Sequence, residues 1–378
     1  MDSRKIFDYA LKTFLFLSPI FFFRNYQLSF ARGLFLILGS FALFGISLGL
    51  EPRRKLFNIW ISLFLLLALL RVFFNNSLGD NMQEWFNFWL ACAGFIYVFC
   101  GVLLFYTIYI HADNIEKYFI PIAWVCVANF ILVIAQMFNY DFMWAQTSQF
   151  SRICGFFEIN AQMGQYSAMS LPILFFIHPA LIVFPLFTLI ASKSVTPITA
   201  LLVGLIFLGW HSKRKLLVKW LILIILVWGI FNVSYIKGKW HTRPIMWKKT
   251  LSAALKTPYL GAGYQSFNKQ VIASNLDKML GKEDFSRPHS DYLHTAQELG
   301  FPILITIAMF FIGLYKKFKV AVKDRLLLAL SASVLIALVN MGGQAFIRYA
   351  SVGSTFIVLL ALFCTKLNDV TIIETEGK

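Results

Sequence analysis

The sequence predicts an all-α, polytopic membrane protein with about twelve transmembrane helices. Three observations support this fold class: the abundance of apolar residues, the scarcity of charges and the spacing of long apolar runs. Of the 378 residues, 59% are hydrophobic and 14% are charged, whereas soluble domains are about half apolar and roughly a quarter charged. A soluble fold of this length could not bury so much phenylalanine, leucine and isoleucine, but lipid solvates the outer faces of membrane helices.

Twelve apolar segments approach the length of about 20 residues that crosses a bilayer. They lie at 6–23, 32–50, 56–74, 86–110, 118–138, 161–177, 179–192, 196–210, 217–236, 298–315, 325–343 and 346–365. The segments between 161 and 210 are short, and the prolines that interrupt them are Pro172, Pro179, Pro185 and Pro197. Kinked helices or a re-entrant segment are alternatives in that region.

The distribution of positive charge predicts the orientation. If the N-terminus is cytoplasmic and the spans alternate, the cytoplasmic segments and the span ends beside them hold seventeen Lys and Arg residues, and the short outer segments and their span ends hold six. Cytoplasmic loops are enriched in these residues, so both termini are predicted to be cytoplasmic. The chain then divides into nine transmembrane helices in 1–236, a large outer loop at 237–297, three helices in 298–365 and a cytoplasmic tail at 366–378.

The outer loop carries more positive charge than orientation requires. The whole chain has a formal charge of +16, and the loop alone has ten Lys and Arg against four acidic residues, a net +6. A cationic surface outside the membrane suits an anionic ligand such as phosphate, pyrophosphate or an acidic glycan. The alternative is a solvated loop that lies near anionic lipid headgroups. Because orientation explains most of the remaining charge, nucleic acid is not an expected partner.

Within this loop, Arg243–Lys256 is predicted to form a short helix, with Thr242 as its N-cap and Pro258 just beyond its end. Arg243 and Trp247 are four residues apart and therefore share one face. The N-terminus of a helix offers free N–H groups to a phosphate, and Arg243 lies there. The alternative is an interfacial amphipathic helix whose Arg and Trp anchor it among headgroups. The Gly261-Ala-Gly263 sequence that follows is expected to be a turn rather than a nucleotide site.

His289 is the candidate catalytic residue, within Arg287-Pro288-His289-Ser290-Asp291-Tyr292-Leu293. An imidazole at the boundary of water and membrane can take a proton from a sugar hydroxyl as a general base. The alternative is a structural histidine that caps the following helix. His294 is too poorly placed relative to His289 for a shared metal and is expected to pair with Glu298, four residues on. The five cysteines show no CxxC spacing, so neither a metal site nor a disulfide framework is expected.

Two further groups of polar residues lie at predicted outer ends of spans. Arg348 lies at the start of the last span, where an arginine at membrane depth is a functional candidate or else reaches out to headgroups. Glu158 and Asn160 precede the sixth span, where they could bind sugar hydroxyls or cap a helix.

The ordered motifs resemble those of the O-antigen ligase/polymerase family of bacterial envelope glycosyltransferases. The resemblance rests on Arg243-x-x-x-Trp247, Pro258-x-x-Gly261-x-Gly263-x-x-x-Phe267, His289-Ser-Asp-Tyr-Leu293 with Glu298-Leu-Gly300, and Gly155-x-Phe157-x-x-Asn160-x-x-x-Gly164. It implies a GT-C-like fold in the bacterial inner membrane. It also implies transfer of a glycan from undecaprenyl pyrophosphate to an acceptor hydroxyl, without cofactor or metal. The implied acceptor is the lipid A core for a ligase or the growing glycan for a Wzy-type polymerase.

The resemblance also assigns roles to residues. His289 would activate the acceptor, and Arg243 would hold the pyrophosphate. The family's second phosphate-binding arginine, at the start of the eighth span, is missing from Ser192-Lys193-Ser194-Val195-Thr196-Pro197. The residues that could replace it are Lys193, Arg287 and Arg348, and the candidate glycan or acceptor ligands are Tyr292, Trp247, Glu158 and Asn160.

A ligase is the leading functional hypothesis, and a polymerase is its close alternative. A transporter or flippase of an anionic lipid-linked solute is the alternative from another class. That alternative predicts charges in mid-membrane and often internal repeats, and the sequence shows neither.

Overall fold

The computed structural model describes residues 3–20, 28–54, 59–74, 82–140, 153–157, 159–211, 215–231, 243–263, 266–267, 288–315, 322 and 324–376. Within these residues the regular structure is helical, and no strand occurs. The α-helices are α1 Ser3–Ile20, α2 Leu28–Ser47, α3 Ile59–Phe74, α4 Met82–His111, α5 Phe119–Met137, α6 Asn160–Ile177, α7 Val183–Ala191, α8 Val195–His211, α9 Lys215–Phe231, α10 Arg243–Lys256, α11 Asp291–Leu299, α12 Phe301–Tyr315, α13 Arg325–Gly343 and α14 Ala350–Glu376. The predicted all-α class is therefore confirmed for the described part of the chain.

Four helical stretches are long and apolar enough to cross a membrane: Cys92–His111, Ile115–Met137, Arg325–Gly343 and Ala350–Thr371. Five shorter apolar helices accompany them among the described residues. These helices identify a membrane protein. Each of the twelve predicted segments overlaps a helix among the described residues, but twelve crossings remain a prediction.

The proline-rich region folds as a long helix, a short return and a third helix. Pro172 lies inside α6, while Pro179 begins the 3₁₀ turn Pro179–Ile182 that leads into α7. Pro185 and Pro197 lie in the first turns of α7 and α8, where a helix needs no donor from its backbone nitrogen. The nine residues of α7 extend roughly 14 Å, which is short for a bilayer crossing.

One end of the helix bundle is held together by ion pairs, and we call it the basic face. It joins the start of α1, the residues after α2, the α4–α5 connection, the start of α13 and the end of α14. The pairs are Lys117–Asp8, Lys117–Asp113, Arg53–Asp113, Arg54–Asp369 and Lys366–Asp324. These helix ends are the ones that the predicted alternation of spans assigns to the cytoplasmic side.

The opposite end of the bundle, which we call the site face, gathers the remaining helix ends. Asn160 at the start of α6 binds the carbonyl of Ser192 after α7, so α7 returns the chain to the level at which α6 began. Thr196 at the start of α8 binds the carbonyl of Gly343 at the end of α13. Successive helices therefore still alternate in direction across the short α7. The helices α10 and α11 also lie at the site face.

The interior of the bundle is formed chiefly by α6, α13 and α14. About four fifths of the apolar windows of α13 and α14 are buried, at 78% and 83%, so these two helices are internal rather than lipid-facing. Small polar residues in α6, α13 and α14 allow close helix approach; those fully or almost fully buried include Ser167, Ser170, Ser333, Ser351, Ser354 and Thr355.

Several predicted boundaries differ from the structure by a few residues, and two of the differences change how the chain divides. The predicted span at 298–315 begins instead at Phe301, because Gly300 has a φ of +84° and ends α11 at Leu299. The last helix continues to Glu376, into the segment 366–378 that was predicted to be a cytoplasmic tail.

Candidate functional site

Arg243 joins three helices at the site face. It is the first residue of α10, and its Nη1 donates to Thr196 Oγ1 at 2.6 Å and to the Gly343 carbonyl at 2.9 Å. The Thr196 hydroxyl donates in turn to the same carbonyl at 3.3 Å. The guanidinium is therefore fixed between the start of α8 and the end of α13, rather than extending from an isolated surface helix.

Trp247 connects α10 to the histidine motif. Its indole Nε1 donates to the Pro288 carbonyl at 3.1 Å, and Pro288 directly precedes His289. As the four-residue spacing predicts, Arg243 and Trp247 both reach from α10 toward the same part of the site face. The amphipathic helix therefore packs against the bundle, with Met246 and Ala254 buried.

His289 is half-buried and has a φ of +50°, a conformation that is uncommon outside glycine. Its Nδ1 lies 2.9 Å from Oε1 of Gln344. An amide oxygen only accepts hydrogen bonds, so with Oε1 facing the ring the donor is Nδ1–H, and Nε2 of the neutral imidazole then carries the lone pair. The helix cap is Ser290, whose side chain accepts from the Leu293 nitrogen, so His289 is not the capping residue.

Asp291 anchors the chain that follows α13. Its carboxylate is 1% exposed, and Oδ2 accepts from the Phe346 and Ile347 nitrogens at 2.7 and 2.8 Å. Together with the contacts of Arg243 and His289, this means that three residues bind one short stretch, 343–347, two of them from the predicted site. We call this stretch the support segment.

A buried ion-pair cluster lies on another side of α11. Glu298 contacts His294 Nε2 at 3.0 Å, as the sequence predicts, and Arg348 Nη2 at 2.8 Å. Arg348 also lies 3.9 Å from Asp291. Burial by itself raises the pKa of the Glu298 carboxyl, but Arg348 and His294 outweigh burial and lower this pKa to about 2. Arg348, which was expected to bind pyrophosphate, has its charge balanced here by carboxylates.

The glycine motif is confirmed as a turn, and it packs directly against the end of α11. Gly261 has a φ of +68°, and a Cβ added there would lie 2.4 Å from the Glu298 backbone carbon. A Cβ on Gly300 would lie 2.4 Å from the backbone carbonyl oxygen of Tyr259. The buried Arg71 on α3 donates to the carbonyls of Glu298 and Gly261, so it binds both of the chain segments that meet here.

The motif around Asn160 shapes the turn between α7 and α8. Asn160 Nδ2 donates to the Ser192 carbonyl at 2.7 Å, and a Cβ on Gly164 would lie 2.7 Å from the Ser192 hydroxyl. Lys193 follows in this turn, exposed and with a φ of +48°. The structure therefore brings Asn160 and Lys193 close to the N-terminus of α8, where Thr196 accepts a hydrogen bond from the Arg243 guanidinium.

The remaining predicted ligands are placed less directly. The Tyr292 hydroxyl donates to the Leu338 carbonyl at 2.8 Å, and burial together with Asp291 raises the pKa of this phenol to about 12. Arg287 and Glu158 lie outside the described residues. Among the residues that the structure describes, no cluster of His, Cys, Asp and Glu has the composition of a metal site.

Four residues of the site were not singled out from the sequence: Thr196, Gln344, Asp291 and Arg71. Asp291 lies inside the histidine motif, which is a signal that could have identified it. Arg71 is a charge near the end of an apolar helix, which is itself a functional indication. Thr196 and Gln344 carry no such signal, because ordinary polar residues at helix ends are common.

An apolar cavity of about 580 Å³ extends from the ion-pair cluster into the bundle. Its polar end is formed by His294, Glu298 and Arg348, and its walls come from α3, α4, α12, α13 and α14. The aromatic residues that line it are Trp60, Phe64, Tyr97, Phe105, Phe267, Phe310, Phe311 and Phe356. The volume is in the range of small-molecule sites.

Comparison with known proteins supports the resemblance inferred from the motifs. Residues 180–308 match the family model described as O-antigen ligase, and the match includes Arg243, Trp247 and His289. The predicted family is therefore confirmed over this segment. No curated protein matches the chain at a significant level.

Proposed function

On the premise that this chain is a member of the O-antigen ligase/polymerase family, we propose that it transfers a glycan from undecaprenyl pyrophosphate to an acceptor hydroxyl. In this proposal transfer takes place at the periplasmic face of the inner membrane, the side to which the predicted alternation of spans assigns the site face. One observation carries the proposal: Arg243 and His289 form hydrogen bonds to two adjacent residues, Gly343 and Gln344. A cation and a base are thereby held together.

The chemistry requires one proton acceptor and stabilisation of one leaving group. Nε2 of His289 takes the proton of the acceptor hydroxyl while its oxygen attacks the anomeric carbon of the donor. The bond from that carbon to the pyrophosphate oxygen breaks, and its electron pair leaves with the lipid diphosphate. A positioned base contributes about 10² to 10⁴ in rate, and Arg243 stabilises the charge that develops on the diphosphate.

The apolar cavity supports a lipid-linked substrate. Its polar end lies at the ion-pair cluster, and its walls continue to residues in the middle of α4 and α12. An aromatic-lined apolar space can take up an isoprenoid chain from the surrounding lipid through close van der Waals packing. In this arrangement Arg348, Glu298 and His294 form the wall beneath the diphosphate rather than its main ligands.

A reconstituted transfer assay tests the catalytic assignment. The His289→Ala variant should lose transfer by at least about a hundredfold while its amount in the membrane stays normal. His178→Ala is the matched control, because His178 is exposed and its Nδ1 only accepts from the Ala180 nitrogen. Retained transfer in His289→Ala would remove this residue from the mechanism. The same assay with EDTA tests metal independence, since loss of activity that a divalent ion restores would contradict it.

Ligase and polymerase share this chemistry and differ in the acceptor. We favour the ligase, and the envelope glycans of a deletion strain decide between the two. Finished polymer that remains on its lipid carrier identifies a ligase. Single repeats, unattached or linked to the core, identify a polymerase. Normal glycans in that strain would contradict both.

A further inference from the structure

We propose that Gln344 is a positioning residue that holds His289 in the tautomer needed for a general base. The inference rests on the proposed function, in which Nε2 of His289 accepts a proton. It assigns a role to a residue that lies outside the matched segment 180–308 and 55 positions from the histidine.

The side chain of Gln344 is fixed by its surroundings. Gln344 is 6% exposed and directly follows α13, where its backbone nitrogen donates to the Asn340 carbonyl at 2.9 Å. Its backbone is extended, with φ of −152° and ψ of 160°. The amide oxygen is thereby brought to 2.9 Å from Nδ1 of His289, a normal hydrogen-bond length.

The support segment is held from both sides, so this contact has little freedom. Asp291 binds the Phe346 and Ile347 nitrogens, and Arg243 binds the Gly343 carbonyl. The positive φ of His289 costs roughly 1–3 kcal/mol and persists only where neighbouring contacts enforce it. The indole of Trp247 on the Pro288 carbonyl is one such contact, and Asp291 is another.

The consequence for the imidazole is chemical as well as geometric. A histidine whose Nδ1–H is engaged by an acceptor keeps its lone pair on Nε2 and keeps its ring plane. Serine proteases achieve this with an aspartate. A neutral glutamine orients the ring in the same way, without adding a negative charge beside a diphosphate that already carries several.

Three variants separate orientation from folding. Gln344→Leu keeps the approximate volume and removes the acceptor, while Gln344→Glu restores an acceptor for Nδ1–H. Gln165→Leu is the matched control, because Gln165 is fully buried in α6 and its amide makes no hydrogen bond within the described part of the chain. Each purified variant is assayed for kcat and for donor KM. Nitrogen-15 spectra of histidine-labelled protein, with His289→Ala for assignment, report the tautomer directly.

The expected result is a wild-type His289 with a protonated Nδ1 and an unprotonated Nε2. In Gln344→Leu we expect mixed tautomers and a kcat lower by about 10- to 100-fold, the usual effect of losing such an orienting partner, with an unchanged donor KM. Gln344→Glu should recover most of kcat, and Gln165→Leu should retain it.

Two results would overturn the positioning role. One is a wild-type spectrum with the proton on Nε2, which needs no activity measurement and so does not depend on the proposed function. The other is a Gln344→Leu variant with mixed tautomers but full kcat. If instead His289→Ala itself retains transfer, the proposed catalytic role fails, and the spectra still decide whether Gln344 orients the ring.

Discussion

Replacing Glu298 by glutamine should destabilise the protein substantially, although the new side chain has almost the same shape. Glu298 has a side chain that is 1% exposed and lies 2.8 Å from Arg348 and 3.0 Å from His294. Glutamine removes the charge while its oxygen can still accept a hydrogen bond. Arg348 would then lose the carboxylate that lies 2.8 Å away, and Asp291 lies farther off, at 3.9 Å.

The size of the effect follows from the pKa of this carboxyl. In the folded protein Arg348 and His294 overcome burial and lower the pKa from 4.5 to about 2. At about 1.4 kcal/mol for each pKa unit, the charged form contributes about 3 kcal/mol to the free energy of unfolding. This agrees with the roughly 3–5 kcal/mol lost when a buried ion pair is broken on one side.

The sign of the pH dependence is also fixed. Because the folded-state pKa of Glu298 lies below its unfolded value, the contribution is complete above about pH 4.5 to 5. It decreases as the pH falls toward 2, where the carboxyl becomes protonated in the folded protein too. The difference in stability between wild type and Glu298→Gln should therefore be largest near neutral pH and shrink in acid.

Thermal unfolding in detergent measures this difference. Four of the five cysteines are buried, so a thiol-reactive fluorogenic dye reports unfolding. A loss of about 3 kcal/mol should lower Tm by about 5 °C or more at pH 7. Glu116→Gln is the control, because Glu116 is exposed at the basic face. A Glu298→Gln variant with the wild-type Tm at pH 7 would refute the assignment of Glu298 as a charged partner of Arg348.

Three further outcomes are expected. Arg243→Lys should lower kcat/KM by about 10- to 100-fold, because an ammonium lacks the planar fork and forfeits a hydrogen bond to a charged group; wild-type turnover would make this residue a headgroup anchor. Gly261→Ala should lower Tm, because its Cβ would collide with backbone atoms, whereas Gly33→Ala has open space and should not; equal Tm values in the same dye assay would contradict the close approach. A cysteine at Lys248 should react with an impermeant maleimide from outside the inner membrane, and one at Glu116 only after lysis; the reverse pattern would place the site in the cytosol.

Local patterns were sufficient to predict most helices. The span 325–343 and the loop helix Arg243–Lys256 have the same bounds in sequence and structure, because apolar length and terminal prolines are encoded locally. The sequence placed the start of the tenth span at residue 298, but residues 298 and 299 belong to α11 and α12 begins at Phe301. The break at Gly300 is required by the passing backbone of Tyr259, a contact that no local pattern contains.

The candidate site was predictable only in part. His289 and Arg243 lie in recognisable motifs, and the structure brings both to the support segment. Their partners Gln344 and Thr196 lie 55 and 47 positions away, so only the fold could identify them. For the same reason the sequence assigned Arg348 to pyrophosphate, since it could not indicate the carboxylates that surround this arginine.

The backbone hydrogen bonds between residues 258–263 and 297–301 affect how far the length of the chain between them can vary. The Ala262 and Gly263 nitrogens bind the Gln297 and Glu298 carbonyls, and the Phe301 nitrogen binds the Pro258 carbonyl. The chain is thus tied down shortly before and shortly after the interval 268–287. Because the entropy of closing a loop grows only slowly with its length, that interval can gain or lose residues while the residues on either side of it keep their hydrogen bonds to each other.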